Sequence, residues 1–267
     1  MFTNIEETEL NNISSNSGLE LSIGSIKSNK LDYYAYTGIF NNRSDLTNID
    51  SIETTRIKDL SFYQIFENCK NSLRRVGNII ADSIDNHAFV ELFQACTSLE
   101  TVESIQIGTM GEYCCAYMFD GCTSLETAPL LISNVKSNLD YEYPALAPYC
   151  YANMFNGCTS LETAPKLNSK ELAYGCYYGM FNNCTKLINI NPLPSVLLAE
   201  KCYAYMFHNC TSLTNYKETL SSNIEGFKLD ENYIMLSYLP AMNLAKSCYE
   251  GMFANCTSLI ATPSLPA

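Results

Sequence analysis

The strings YMFDGCTSL (117–125), NMFNGCTSL (153–161), GMFNNCTKL (179–187), YMFHNCTSL (205–213) and GMFANCTSL (251–259) decide how this chain folds. Their Phe residues stand at 119, 155, 181, 207 and 253, and weaker copies upstream set Phe40, Phe66 and Phe93. Successive steps are 26, 27, 26, 36, 26, 26 and 46 residues, which is one 26-residue period carrying insertions of 1, 10 and 20. A fixed period of that length marks stacked supersecondary units, none of which can cover its own apolar side chains alone. The expectation is an elongated array of about eight units.

Each unit divides into two halves. After the Cys comes Leu, then apolar or small residues at three-residue steps: Leu99, Val102 and Ile105; Leu161, Ala164 and Leu167; Leu187, Ile190 and Leu193. Pro follows at 129, 165, 192 and 263. It ends any helix and limits a strand to a very short piece, about three residues. The second half, as in LLAEKCYAYMF (197–207), sets Leu198, Cys202, Met206 and Phe207 close to helical spacing. That spacing predicts an amphipathic helix of about two to three turns. Gly121, Gly157, Asn183, Asn209 and Asn255 precede the second Cys and suit the left-handed residue that closes a helix. The predicted class is therefore an α/β repeat solenoid with a short strand and a short helix per unit. It occupies 33–267, and the Asn-, Ser- and Glu-rich residues 1–32 are expected to be a cap or attachment segment.

The bulk composition narrows the partners. With 47% apolar and 16% charged residues, the 267-residue chain can build a continuous core. A net charge of -12 argues against nucleic acid or an anionic membrane as the main partner, since both reward clustered Lys and Arg. No apolar run is long enough to insert in a membrane, and MFTNIEETELNNISSNS (1–17) has neither a basic nor an apolar signal region. Either an export signal has been removed or none is used.

Thirteen Cys invite a disulfide or zinc reading. Ten form pairs eight apart, at 114/122, 150/158, 176/184, 202/210 and 248/256. Eight helical residues span about 12 Å, beyond the roughly 4.4–6.8 Å a disulfide tolerates between Cα atoms. With only two His and no C-x-x-C, zinc spacing is poor, so neither metal nor cofactor is expected. The favoured reading is a ladder of free, buried thiols through Cys122, Cys158, Cys184, Cys210 and Cys256, with bridges between adjacent units left open by distance. Cys115 takes the slot held elsewhere by Tyr151, Tyr177, Tyr203 and Tyr249, and is expected to be an exposed outlier. Those tyrosines are read as a structural stack along the helix face.

No catalytic constellation stands out. His87 and His208 lie outside recognised motifs, and His208 fills a variable slot shared with Asn156, Asn182 and Ala254. An enzyme is not expected. Binding is expected at two features. The inserts within 132–144 and 217–238 fall at the same point of the unit and carry Tyr141, Tyr143, Phe227, Tyr233 and Tyr238. The second feature is a strip along the strands, including Glu126, Thr127, Glu162 and Thr163. Neutral loops and a merely solvated face are the alternatives. The last unit stops at LIATPSLPA (259–267), an apolar edge expected to be covered by further chain, a cap or end-to-end self-association.

The run of C-T-S-L, Pro, L-P-A, L-A, C-Y and M-F resembles the BspA-like leucine-rich-repeat proteins, a bacterial surface group of the treponemal repeat type. The likeness covers about 88–267 and is carried by GCTSLETAP at 121–129 and 157–165; 33–87 match loosely and 1–32 do not. The resemblance implies a leucine-rich-repeat solenoid, a cell-surface or secreted location, and adhesion to a protein or glycan on a host or neighbouring cell. Related repeats are similar to tail or fibre proteins of gut bacteriophages, which implies the alternative of a virion component using the solenoid as spacer and host-recognition platform. The family has no shared catalytic residues to transfer.

Overall fold

The computed structural model describes residues 8–16, 20–133, 146–167, 169, 171–188, 190, 191, 193–214, 239, 241 and 243–259. Its strands are β1 (Thr8–Asn16), β2 (Glu20–Leu31), β3 (Leu46–Ile57), β4 (Arg75–Ile84), β5 (Thr101–Met110) and β6 (Leu130–Ser133). They form one sheet in chain order. β2 to β6 are parallel, one strand per turn of a solenoid, while β1 pairs antiparallel on the free edge of β2. The regular turns thus begin at β2.

Strand length departs from the short-strand expectation wherever Pro is missing. β3, β4 and β5 run 12, 10 and 10 residues. Their β-branched residues align in columns across the turns, Ile49 beside Val76 beside Val102, and Ile52 beside Ile79 beside Ile105, all buried. Where Pro129 and Pro165 enter, the missing N–H breaks the ladder. The sheet shrinks to β6 and then to isolated bridges, Thr127 to Thr163, Glu171 to Leu197 and Leu197 to Asn243.

The expected helices are not there. Among the described residues there is no α-helix, hence none long and apolar enough to cross a membrane. Each second half is instead a coil of successive tight turns with a left-handed residue at every fourth position, such as Tyr113, Tyr117 and Gly121, or Gly175, Gly179 and Asn183. The hydrogen bonds explain why. In the coil at 111–122, the N–H groups of Tyr113, Cys115, Tyr117, Phe119 and Gly121 donate to carbonyls of the following turn, those of Pro148, Cys150, Ala152, Met154 and Asn156, at 2.8–3.0 Å. The alternate N–H groups, from Cys114 to Cys122, donate three residues back inside the coil. Every one of these donors is thereby paired, half of them axially, which an α-helix with its internal i to i−4 bonds would not permit.

Side chains stack along the same axis. Phe40, Phe66, Phe93, Phe119, Phe155, Phe181, Phe207 and Phe253 form one ladder, with centroids 5.4–5.8 Å apart and rings within 11° of parallel. Leu46, Leu73, Leu99, Leu125, Leu161, Leu187 and Leu213 make a second, fully buried column at the turn into the strand.

Left-handed backbone costs an L-residue roughly 1–2 kcal/mol, so the residue types at these positions carry information. Gly175 sits at φ +55°, and a Cβ there would come within 2.5 Å of the Tyr149 ring. Gly175→Ala should therefore destabilise by about 1–3 kcal/mol, because φ and ring are strained together. Thermal unfolding of the variant checks this; an unchanged midpoint would mean that the ring swings aside without loss.

Candidate functional site

Groups able to do chemistry are mostly turned inward. All thirteen thiols are free and buried. The thiols of Cys122, Cys158, Cys184, Cys210 and Cys256 donate to the carbonyls of Phe93, Phe119, Phe155, Phe181 and Phe207 in the preceding turn, at 2.9–3.2 Å. A small side chain with a weak S–H donor fits a closed apolar slot facing one carbonyl. Burial raises these thiols, with Cys256 pushed up to about 11. Thiolate nucleophiles need the opposite shift. Cys115, expected to be exposed, is fully buried because its slot faces the core. Among the described residues no group of three or more His, Cys, Asp or Glu is arranged to hold a metal ion. His87 stacks on Tyr113 at 5.3 Å, and His208 Nδ1 lies 2.9 Å from Asn182 Oδ1.

Tyr151, Tyr177, Tyr203 and Tyr249 stack at 5.7–6.0 Å, the first three buried and Tyr249 half-buried. Burial keeps their phenols well above the ordinary value. Their faces are used against one another, so no platform is left for a ligand.

The strand-side strip is assembled as adjacent rungs. Thr127 bridges to Thr163, and the Glu162 N–H donates to the Glu126 carbonyl at 2.9 Å. Glu126, Thr127 and Glu162 are exposed and Thr163 is half-buried. One turn upstream the column continues through Glu100, whose carboxylate pairs with Arg74 at 2.6 Å. Glu126 and Glu162 thus form a short carboxylate row with its cation at one end. The insert residues Tyr141, Tyr143, Phe227, Tyr233 and Tyr238 lie outside the described residues.

A further surface escaped the sequence reading. Tyr113, Tyr117, Tyr149, Tyr174, Tyr178 and Tyr205 gather on the outer face of the coils, all half-buried except the exposed Tyr174. Tyr113 stacks on Tyr149 at 4.6 Å, Tyr174 meets Tyr149 edge-on at 5.1 Å, and Tyr178 lies 5.6 Å from Tyr205. Beneath them Val90, Ala116 and Ala152 form a narrow buried column. The signal was present as Tyr at coil positions not needed for the interior. Tyr113 and Tyr117, four apart, would share a face in a helix as well; the stacking of adjacent turns is what brings Tyr149 onto Tyr113 and Tyr178 beside Tyr149.

No family model matches the chain, and no curated protein does. Among solved structures it is similar to a crystal structure of a leucine-rich repeat protein from Bacteroides ovatus ATCC 8483, at 13% identity over 79% of this chain and 81% of that one, with a TM-score of 0.24. A superposition that loose transfers neither site nor role.

Proposed function

We propose that the chain is a leucine-rich-repeat array of eight units, of the BspA-like kind, acting as a non-enzymatic recognition module on a cell surface that binds a protein or glycan of a host or neighbouring cell. One observation carries the reading. Thiols and ring stacks are taken up in holding turn to turn, while exposed groups recur along the axis as a strip, Glu126, Thr127 and Glu162 with the half-buried Thr163 beside them. A repeated strip on a rigid wall suits an extended macromolecular partner better than a small substrate. The count of eight is supported by the left-handed triplets, which begin at Tyr34, Leu60, His87, Tyr113, Tyr149, Gly175, Lys201 and Ser247, with the same spacing as the Phe ladder.

Thirteen free thiols favour a second reading, a virion or assembly spacer built in a reducing compartment. Binding of the whole chain to arrays of matrix proteins and glycans separates the two. The recognition reading expects a specific probe whose binding weakens about tenfold or more in the Glu126→Lys, Glu162→Lys variant. No binding to any probe, alongside a folded chain, would favour the spacer.

A further inference from the structure

Residue choice at the left-handed positions is uneven. The third position of each coil holds Asn, Gly or, once, Ala, the small types such backbone suits, while the first two hold Tyr at 34, 113, 117, 149 and 205, with φ between 53° and 56°. The coil does not require phenols there. The slot of Tyr117 is Asn153 in the next turn, and that of Tyr149 is Gly175. Bulky residues kept in strained backbone where smaller ones serve point to a use for their side chains.

From Tyr113 to Tyr205 the rings form one continuous surface, with unpaired carboxylates along its Tyr113 and Tyr117 end. His87, Tyr113 and Tyr149 stack in series, and Tyr149, Tyr178 and Tyr205 continue the surface across later turns. Glu91, Glu112 and Asp120 border it, and among the described residues no Lys or Arg pairs with them. Their neighbours are amides: Gln64 donates to Glu91, and Gln94 and Asn156 donate to Asp120. The charge reaches the rings. Burial and then Glu112 hold the Tyr113 phenol above its ordinary value, and burial and then Asp120 do the same at Tyr117.

Resting on the recognition reading above, we propose that this phenol-rich outer face, centred on Tyr113, Tyr117 and Tyr149, docks a basic protein segment presenting Arg or Lys side chains. Stacked rings offer edges and hydroxyls more than faces, which disfavours a sugar laid flat on an aromatic ring. A guanidinium or ammonium instead finds carboxylates and phenol oxygens together, the setting for charge-assisted hydrogen bonds. Tyr and Arg are also the residue types most used at the centres of protein interfaces.

The test is fluorescence anisotropy with the whole chain and two labelled probes, a short peptide alternating Arg and Gly and its Gln-Gly counterpart. The Arg-Gly peptide should bind and the Gln-Gly peptide should not. Tyr117→Asn with Tyr149→Asn, and separately Glu91→Gln with Glu112→Gln, should each weaken binding about tenfold or more. Circular dichroism confirms that the Asn variants fold, as their slots accept small residues. Asp50→Asn with Asp82→Asn removes the same charge from β3 and β4 and should leave binding within about twofold. Equal weakening by this pair, unchanged binding in the tyrosine pair, or no binding of the Arg-Gly peptide would overturn the proposal. Array binding that is lost with Glu126→Lys, Glu162→Lys but kept in the tyrosine pair would sink the docking face and leave the recognition module standing.

Discussion

Above about pH 9 the folded chain should lose stability steeply, because buried thiols stay protonated in the fold and ionise once it opens. Cys96, Cys114, Cys122, Cys150, Cys158, Cys176, Cys184, Cys202 and Cys210 are fully buried. Burial raises each of them, Cys202 to about 12, from an ordinary value near 9. The folded pKa is the higher one. The stability these thiols contribute is therefore complete below about pH 8 and is lost as pH rises from 9 towards 12. Each thiol withdraws about 1.4 kcal/mol per pH unit in that window. At pH 9 the unfolded thiols are half ionised, so the nine together withdraw on the order of 9 kcal/mol between pH 9 and 10, comparable with the whole stability of an ordinary domain. Thermal unfolding in reductant should show the midpoint falling by roughly 20–40 °C between pH 9 and 10. A midpoint that stays level from pH 7.5 to 10.5 would contradict the buried ladder.

Phe181→Ala should cost about 3–5 kcal/mol, the usual range for emptying a buried aromatic site. Phe181 is fully buried and stacks at 5.6 Å on both Phe155 and Phe207. Its carbonyl accepts from the Cys184 N–H and the Cys210 thiol, each at 3.1 Å, so the cavity would open at a junction of the backbone network. In a one-dimensional array the loss falls on the contacts with both neighbouring turns. Among the described residues Phe40 and Phe253 stack on one partner each, and both are only partly buried, so truncating either should cost about half as much. Urea unfolding of the three variants measures the difference. Equal costs at centre and ends would mean that the ladder does not carry axial stability.

The sequence made the solenoid legible because Phe, Leu and Cys recur at one period, and only stacking can bury such a series. It also marked the left-handed residue before the second Cys, as at Gly121 and Asn183. It misled about what precedes that residue. Cys202, Met206 and Cys210 repeat every four residues, and over two turns that differs from a 3.6-residue helix by less than one position. The Tyr face was missed because the contacts that complete it, Tyr149 on Tyr113 and Tyr178 beside Tyr149, lie between adjacent turns. Thr127 and Thr163 were placed in one strip by period alone, and the structure sets them side by side.

Period, columns of like residues and the Pro-limited strands of the C-terminal turns were determined by the sequence itself, because each follows from local sterics or from repetition. Tertiary structure decided the rest. Coil replaces helix because alternate N–H groups, from Tyr113 to Gly121, find carbonyls on the adjacent turn, partners that a local pattern cannot display. Cys115 is buried because its slot faces the stacked core whichever residue fills it. The strands at 46–57, 75–84 and 101–110 grow long because each has a Pro-free neighbour in register, and pairing is a property of two segments at once.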